Sequence, residues 1–244
     1  PQPFAVDDGT VMDTAILVVA RVHGSLLGEP YEMFDCSRPQ AAYTLARELA
    51  KIHRVPVAAL KRPLPGPGAP DAASLIAEVR GFYDKWRALG EASITIEAAF
   101  AWLFAHRHAL RDGGVCVTHH DVRFHNILTD DSGVTAILDW ELSALGRPAR
   151  DIGYVYHQVV QFADWDRFLA EYRDAGGIVP EQPEIDFHIL WADLMVAVYM
   201  YLTRAGYLAS RDDNIQFAYA SERMRQHNML LLSGRIARFL RERR

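Results

Sequence analysis

The sequence predicts an α+β fold, in which a short strand-bearing front leads into a mainly helical body. Three stretches carry that prediction. Residues 14–24, TAILVVARVHG, are β-branched and end in glycine, the pattern of a buried strand running into a linker. Residues 126–140, NILTDDSGVTAILDW, form two apolar runs about a polar turn, the pattern of a hairpin. Residues 184–208, EIDFHILWADLMVAVYMYLTRAGYL, are apolar and aromatic around most of a helical circumference, which predicts a central core helix.

The remaining elements follow in order. In RPQAAYTLARELAKIHRV (38–55), Ala42, Leu45, Leu49 and Ile52 recur at helical spacing and predict an amphipathic helix. KRPLPGPGAP (61–70) is a loop, since its prolines and glycines support neither helix nor ladder. Helices are predicted at 71–88 and 94–112, then a short strand at 115–118 and the hairpin. Another helix begins near 149, and 163–243 reads as mostly helical. The tail GRIARFLRERR predicts a solvated terminal helix with cations at the negative end of its dipole. No internal repeat is present.

Composition sets the limits. The 244 residues are 50% apolar and 23% charged, which suits a soluble globular protein with a substantial core. A net charge of −5 offers no general attraction to nucleic acid or to an acidic membrane. Cys36 and Cys116 have no metal or redox spacing, so a reducing, cytoplasmic setting is the expectation. No run approaches the roughly 18 apolar residues of a membrane span. The opening PQPFAVDDGT has neither the basic nor the apolar part of a signal peptide and no Met, so a processed product, a cut piece of a longer chain or a sequence with its front missing is the expectation.

The chemistry concentrates in residues 117–141, VTHHDVRFHNILTDDSGVTAILDWE. If the turn is centred on Asp131 and Ser132, Asn126 lies opposite Ile137, and Asn126 and Asp139 fall diagonally on one face of the hairpin. Two oxygen-bearing side chains there suit one hard cation such as Mg²⁺, whose other ligands are water and phosphate. Asp121, on the loop entering the hairpin, is placed to accept a proton from a hydroxyl nucleophile.

His119-x-Asp121-x4-Asn126, followed by Asp139, matches the catalytic loop and metal-binding aspartate of kinases. THHDVRFHNIL…AILDWELSALGRPARDIGY further resembles the aminoglycoside phosphotransferase and choline kinase-like family, as do LARELAKIHRV and AILVVARVHG. The resemblance spans about 14–160 and implies a protein kinase-like fold, with 1–24 a remnant of the N-terminal lobe and hinge strand and 25–244 the helical C-terminal lobe. It implies transfer of the γ-phosphoryl group of ATP or GTP to a hydroxyl of a small molecule, assisted by Mg²⁺. By the same resemblance, Asp121 is the catalytic base, Asn126 and Asp139 hold Mg²⁺, and His119 braces the loop. The backbone of Ala20, Arg21 and Val22 faces the adenine, with Leu128 and Leu138 as its apolar floor. Asp151 ties its helix to the loop, and Arg123 is a candidate for neutralising phosphate charge. His120 stands where the family usually has Gly, a change of bulk that removes no catalytic group. The Gly-rich phosphate cover and the strand lysine have no counterpart in the sequence.

Three other readings compete. A non-catalytic kinase-like binding module fits that missing front, whereas the intact Asp121, Asn126 and Asp139 oppose it. A metal-dependent hydrolase would use His119, His120, Asp121, His125 and Asp139, but adjacent histidines on a strand point to opposite faces. Ordinary loop and strand-end polar residues are the bland alternative. His53 reads as a packed helix residue, Cys116 as inert core, and Arg147 and Arg150 as surface residues or phosphate contacts. Trp191, Tyr199, Tyr201 and Tyr207 read as core, with one or two lining a substrate pocket. Glu141, Asp164, Asp166 and Asp193 are too scattered to specify a cationic acceptor.

Overall fold

A computed structural model describes residues 3–8, 10, 15–28, 38–60, 64, 71–211 and 214–241. Cys36 and, save Leu64, the predicted loop at 61–70 lie outside them. The strands are β1 (Pro3–Asp8), β2 (Ala15–Val19), β3 (Ser25–Leu26), β4 (Cys116–Thr118), β5 (Ile127–Asp130), β6 (Gly133–Ile137) and β7 (Ala144–Gly146). The helices are α1 (Pro39–His53), α2 (Ala72–Ala88), α3 (Ile94–Ala105), α4 (Ala149–Val159), α5 (Trp165–Asp174), α6 (Gln182–Leu208) and α7 (Ile215–Arg241).

Local chemistry sets the helix boundaries. Pro39 opens α1, where a missing N–H costs nothing. Asp71, Ser93 and Asp164 cap α2, α3 and α5 by accepting from the N–H groups of Ser74, Ile96 and Arg167. The predicted helix at 94–112 stops at Ala105 instead. There the His106 ring, its Nδ1 2.6 Å from the Trp102 carbonyl, closes the last turn, and a 3-10 turn at Arg107–Ala109 follows.

The strands form three small antiparallel sheets: β1–β2, β3–β5–β6 and β4–β7. The predicted strand exists, but it is not buried. Ile16, Val18 and Val19 are 36%, 49% and 39% exposed, because β2 pairs only with β1 and no third strand covers the ribbon among the described residues.

Two hydrophobic cores meet at α6. Phe82, Trp86, Phe100, Leu103, Trp191 and Phe239 belong to one core, built from α2, α3, α6 and α7. Leu45, Leu49, Val122, Ile127, Ile152, Phe168 and Ile189 belong to the other, which joins α1 and the hairpin to α4 and α5. The central-helix expectation for 184–208 therefore holds. α6 is also long and apolar enough to cross a membrane, contrary to the reading that no run approaches that length; 72% of its most apolar window is buried inside the protein. α7 is not the solvated tail the sequence suggested. Leu232, Ile236 and Phe239 are buried, and Arg235 reaches Asp193 of α6.

α4 and α6 cross so closely that a Cβ on Gly153 would lie 2.7 Å from the His188 backbone. Gly153→Ala must part the two helices and should destabilise the protein by roughly 1–3 kcal/mol, measured by urea unfolding.

Candidate active site

The loop from His119 to Asn126 is held by α4. Asp151, in the first turn of α4, is fully buried, and its carboxylate accepts three hydrogen bonds. Oδ2 accepts from the His119 N–H at 2.8 Å and from His53 Nε2 at 3.0 Å, and Oδ1 accepts from the His120 N–H at 2.8 Å. Burial alone would raise its pKa. The bond and charge of His53, the His120 ring and the His119 N–H outweigh burial and hold the carboxyl at about 2. Since Asp151 only accepts, His53 Nε2 donates, and Nδ1 faces the Tyr172 hydroxyl at 2.8 Å. His53 is thus packed, as expected, and it also joins α1 to the loop.

Asp121 is set by three side chains. Oδ1 accepts from the Tyr154 hydroxyl at 2.7 Å and Oδ2 from Asn126 Nδ2 at 3.0 Å, while Arg123 Nε lies 3.4 Å from Oδ1. Arg123 Nε also donates to the Tyr154 oxygen at 3.0 Å, with its guanidinium 5.1 Å over the Tyr154 ring. Burial pushes the Tyr154 hydroxyl up to about 12, so it stays a donor. Gln158, one turn further along α4, clamps the loop backbone at Val122 and Phe124.

The hairpin register differs from the prediction. Asp130 pairs with Gly133 and Thr129 with Val134, but a bulge shifts Leu128 to Ala136 and Ile127 to Ile137. Asn126 is not on the strand. It ends a 3-10 turn, Phe124–Asn126, and its carbonyl accepts from the Leu138 N–H at 2.8 Å, so its ladder partner is Leu138 and not Ile137. Bulges re-aim side chains in this way. The Leu138 carbonyl accepts from His119 Nε2 at 2.8 Å, while His119 Nδ1 accepts the Asp121 N–H at 3.2 Å. Leu138 is therefore gripped from both sides, and the exposed Asp139 follows it directly with φ of 64°. His125 senses the charges of both Asp121 and Asp139, although burial dominates and lowers its pKa.

Asn126 uses its amide nitrogen toward both the carboxylate and the carbonyl of Asp121, at 3.0 and 3.1 Å, which leaves its amide oxygen for another partner. That oxygen and the Asp139 carboxylate are hard donors of the kind Mg²⁺ takes. Among the described residues, no three His, Cys, Asp or Glu side chains are grouped to hold a metal.

Ala20, Arg21 and Val22 lie in the coil between β2 and β3. Because β3 pairs with β5 at Leu128 and Thr129, this segment leads onto the hairpin at Leu128, whose side chain is half-buried like that of Leu138. Arg147 and Arg150 are largely buried rather than surface residues. They chelate Glu184 and Glu78, respectively. Trp191 is core, Tyr201 and Tyr207 are half-buried, and Tyr199 is exposed. Asp193 is buried against Arg235. Burial pushes the Cys116 thiol up to about 12, in keeping with inert core. His120 does more than change bulk: its φ of 68° lies in the left-handed region, where glycine is the unstrained residue.

The sequence reading missed Tyr154 and Gln158. The available signal was helical spacing, since Asp151, Tyr154 and Gln158 recur at three and four residues and so share the face of α4 turned to the loop.

A family model described as the phosphotransferase enzyme family, APH, matches residues 1–188. The chain belongs to this family. Its kinase-like fold is shared with a protein from Ralstonia eutropha JMP134 provisionally described as an aminoglycoside phosphotransferase. The two are 18% identical with a TM-score of 0.73, over 97% of this chain and 77% of that one. A thermostable mutant of aminoglycoside phosphotransferase APH(4)-Ia, in ternary complex with ADP and hygromycin B, is 15% identical with a TM-score of 0.64, over 96% of this chain and 77% of that one. Acyl-CoA dehydrogenase family member 10 of Mus musculus is 28% identical in an alignment of 162 residues that covers 63% of this chain and 15% of that protein. The chain thus spans a small part of that relative.

Removing the Asp151 carboxylate leaves two loop N–H groups and the buried His53 Nε2–H unpaired. Asp151→Ala should cost roughly 3–5 kcal/mol at neutral pH. The folded pKa lies below the roughly 3.9 of an unfolded Asp, so this stabilisation is complete above about pH 4 and fades as pH falls toward 2. Urea titrations of both proteins across that range should show their stability difference narrowing.

Proposed function

We propose that this chain carries the phosphoryl-transfer site of a small-molecule kinase, which moves the γ-phosphoryl group of ATP or GTP to a hydroxyl of its acceptor. The observation that carries this reading is the Asn126 amide. Its nitrogen is bound to Asp121, so its oxygen is the atom that would serve a cation together with Asp139. Membership of the phosphotransferase family and a fold shared with a protein that binds ADP and hygromycin B support it.

In this reading Asp121 orients the acceptor hydroxyl and takes its proton. Tyr154 and Asn126 fix both carboxylate oxygens, so the group is set before substrate arrives. Arg123 commits its Nε to Tyr154, so any phosphate contact falls to its terminal nitrogens. His119 keeps Asp121 and Leu138 in register, which aligns Asp139 with Asn126. A bound Mg²⁺ would neutralise phosphate charge. The coil at Ala20, Arg21 and Val22 receives the base, over Leu128 and Leu138. A domain division at about residue 24, with the helical lobe beyond it, belongs to the same proposal, as does a cytoplasmic setting.

Calorimetry with ATP and Mg²⁺ tests the reading. Asp139→Ala should abolish the Mg²⁺-dependent part of nucleotide binding. Asp121→Ala should keep that binding but lower turnover by roughly a hundredfold or more in a screen of hydroxyl acceptors. Normal binding and turnover in both variants would refute the assignment. Nucleotide binding without phosphoryl transfer by the wild type would favour a binding module.

A further inference from the structure

Asp139 keeps a backbone conformation that its own side chain opposes. Its φ of 64° lies in the left-handed region, where a Cβ crowds the following carbonyl. A residue other than glycine stays there only when its surroundings hold it. His120, the other left-handed residue of the site, is held through its own N–H by Asp151. Among the described residues, no protein hydrogen bond is made by Asp139 itself, so the restraint must come from its neighbours.

Those neighbours are fixed on both sides. Before Asp139, Leu138 donates its N–H to the Asn126 carbonyl and accepts from His119 Nε2. After it, the Trp140 indole Nε1–H reaches back and donates to the Ile137 carbonyl at 2.8 Å. In a type II turn the third residue has positive φ, and the backbone N–H of the fourth closes the turn on the carbonyl of the first. Residues 137–140 have the same span, with Asp139 third and the Ile137 carbonyl as acceptor, but the donor is the indole and not a backbone N–H. The indole is itself held. It is half-buried against the core that joins α1 to the hairpin, and its ring meets His119 edge-on at 4.7 Å and 61°.

We propose that Trp140 is a positioning residue for the cation site. Its indole N–H closes the turn over Asp139 and keeps that aspartate in the left-handed conformation in which a cation meets it. The cation role rests on the phosphotransfer reading, whereas the closing of the turn does not. Trp140 touches neither nucleotide nor acceptor in this account and acts through Asp139.

Two measurements on the whole chain test the proposal. In NMR spectra of the wild type, the Asp139 amide proton should give the strong contact to its own Hα that a left-handed residue shows, and the Trp140 indole proton should exchange slowly. Trp140→Phe keeps a ring against His119 and loses the donor, so that contact should weaken as φ turns negative. Calorimetry with ATP should show the Mg²⁺-dependent gain in affinity reduced about tenfold in the same variant, on the scale of the left-handed penalty. ATP without Mg²⁺ should bind as it does to the wild type, whereas a general loss of structure would weaken both alike. An unchanged Asp139 contact in Trp140→Phe, or equal weakening with and without Mg²⁺, would overturn the proposal. A wild type whose ATP binding ignores Mg²⁺ would refute the phosphotransfer reading and the cation role with it, and the NMR contact would still decide the turn. Should Trp140→Phe fail to fold, 3-benzothienylalanine at position 140, which has the shape of the indole and no N–H, takes its place.

Discussion

A carboxylate sealed from water must have every oxygen matched, or the fold that buries it is lost. Asp151 meets that demand with donors from two places in the chain: His53 at the end of α1 and the N–H groups of His119 and His120 on the loop. Each of these partners is held in turn. His53 rests against Tyr172 of α5, His119 grips Leu138, and α4 is fixed against α6 at Gly153. One buried charge therefore sets the position of the loop relative to four helices. Its low pKa is the thermodynamic trace of that arrangement.

From this anchor the site follows in short steps. The loop leaves Asp151 through His119, turns at a left-handed His120 and presents Asp121 to Tyr154 and Asn126. Asn126 and His119 bind the two backbone groups of Leu138, which places Asp139 at the mouth of the hairpin. No flexible side chain has to find its partner unaided. The polar groups are preorganised by side-chain and backbone hydrogen bonds, which favours chemistry that depends on alignment more than on a strong base.

Much of this was legible because the residues concerned are close in sequence. The spacing of Asp121, Asn126 and Asp139 and the hairpin between them could be read directly, as could the role of Asp151 through the family resemblance. What escaped the reading depends on packing. The bulge at Leu128 and Thr129 moves Asn126 by one ladder position, and no local signal announces it. Exposure of β2 follows from its having, among the described residues, only β1 as a partner, which its apolar sequence could not reveal. α7 looked like a solvated tail because its basic residues mask the Leu232, Ile236 and Phe239 stripe that packs inward. The left-handed backbone at His120 explains the glycine of related loops, a reason that side-chain bulk does not supply.

The central claim is that Asp151 holds the loop from His119 to Asn126 in place, and amide hydrogen exchange measures this most directly. The His119 and His120 N–H groups should exchange only on global unfolding, as slowly as the amides at the centre of α4. In Asp151→Asn both should exchange much faster while α6 keeps its protection. Rapid exchange of these two amides in the wild type, or unchanged protection in the variant, would contradict the account.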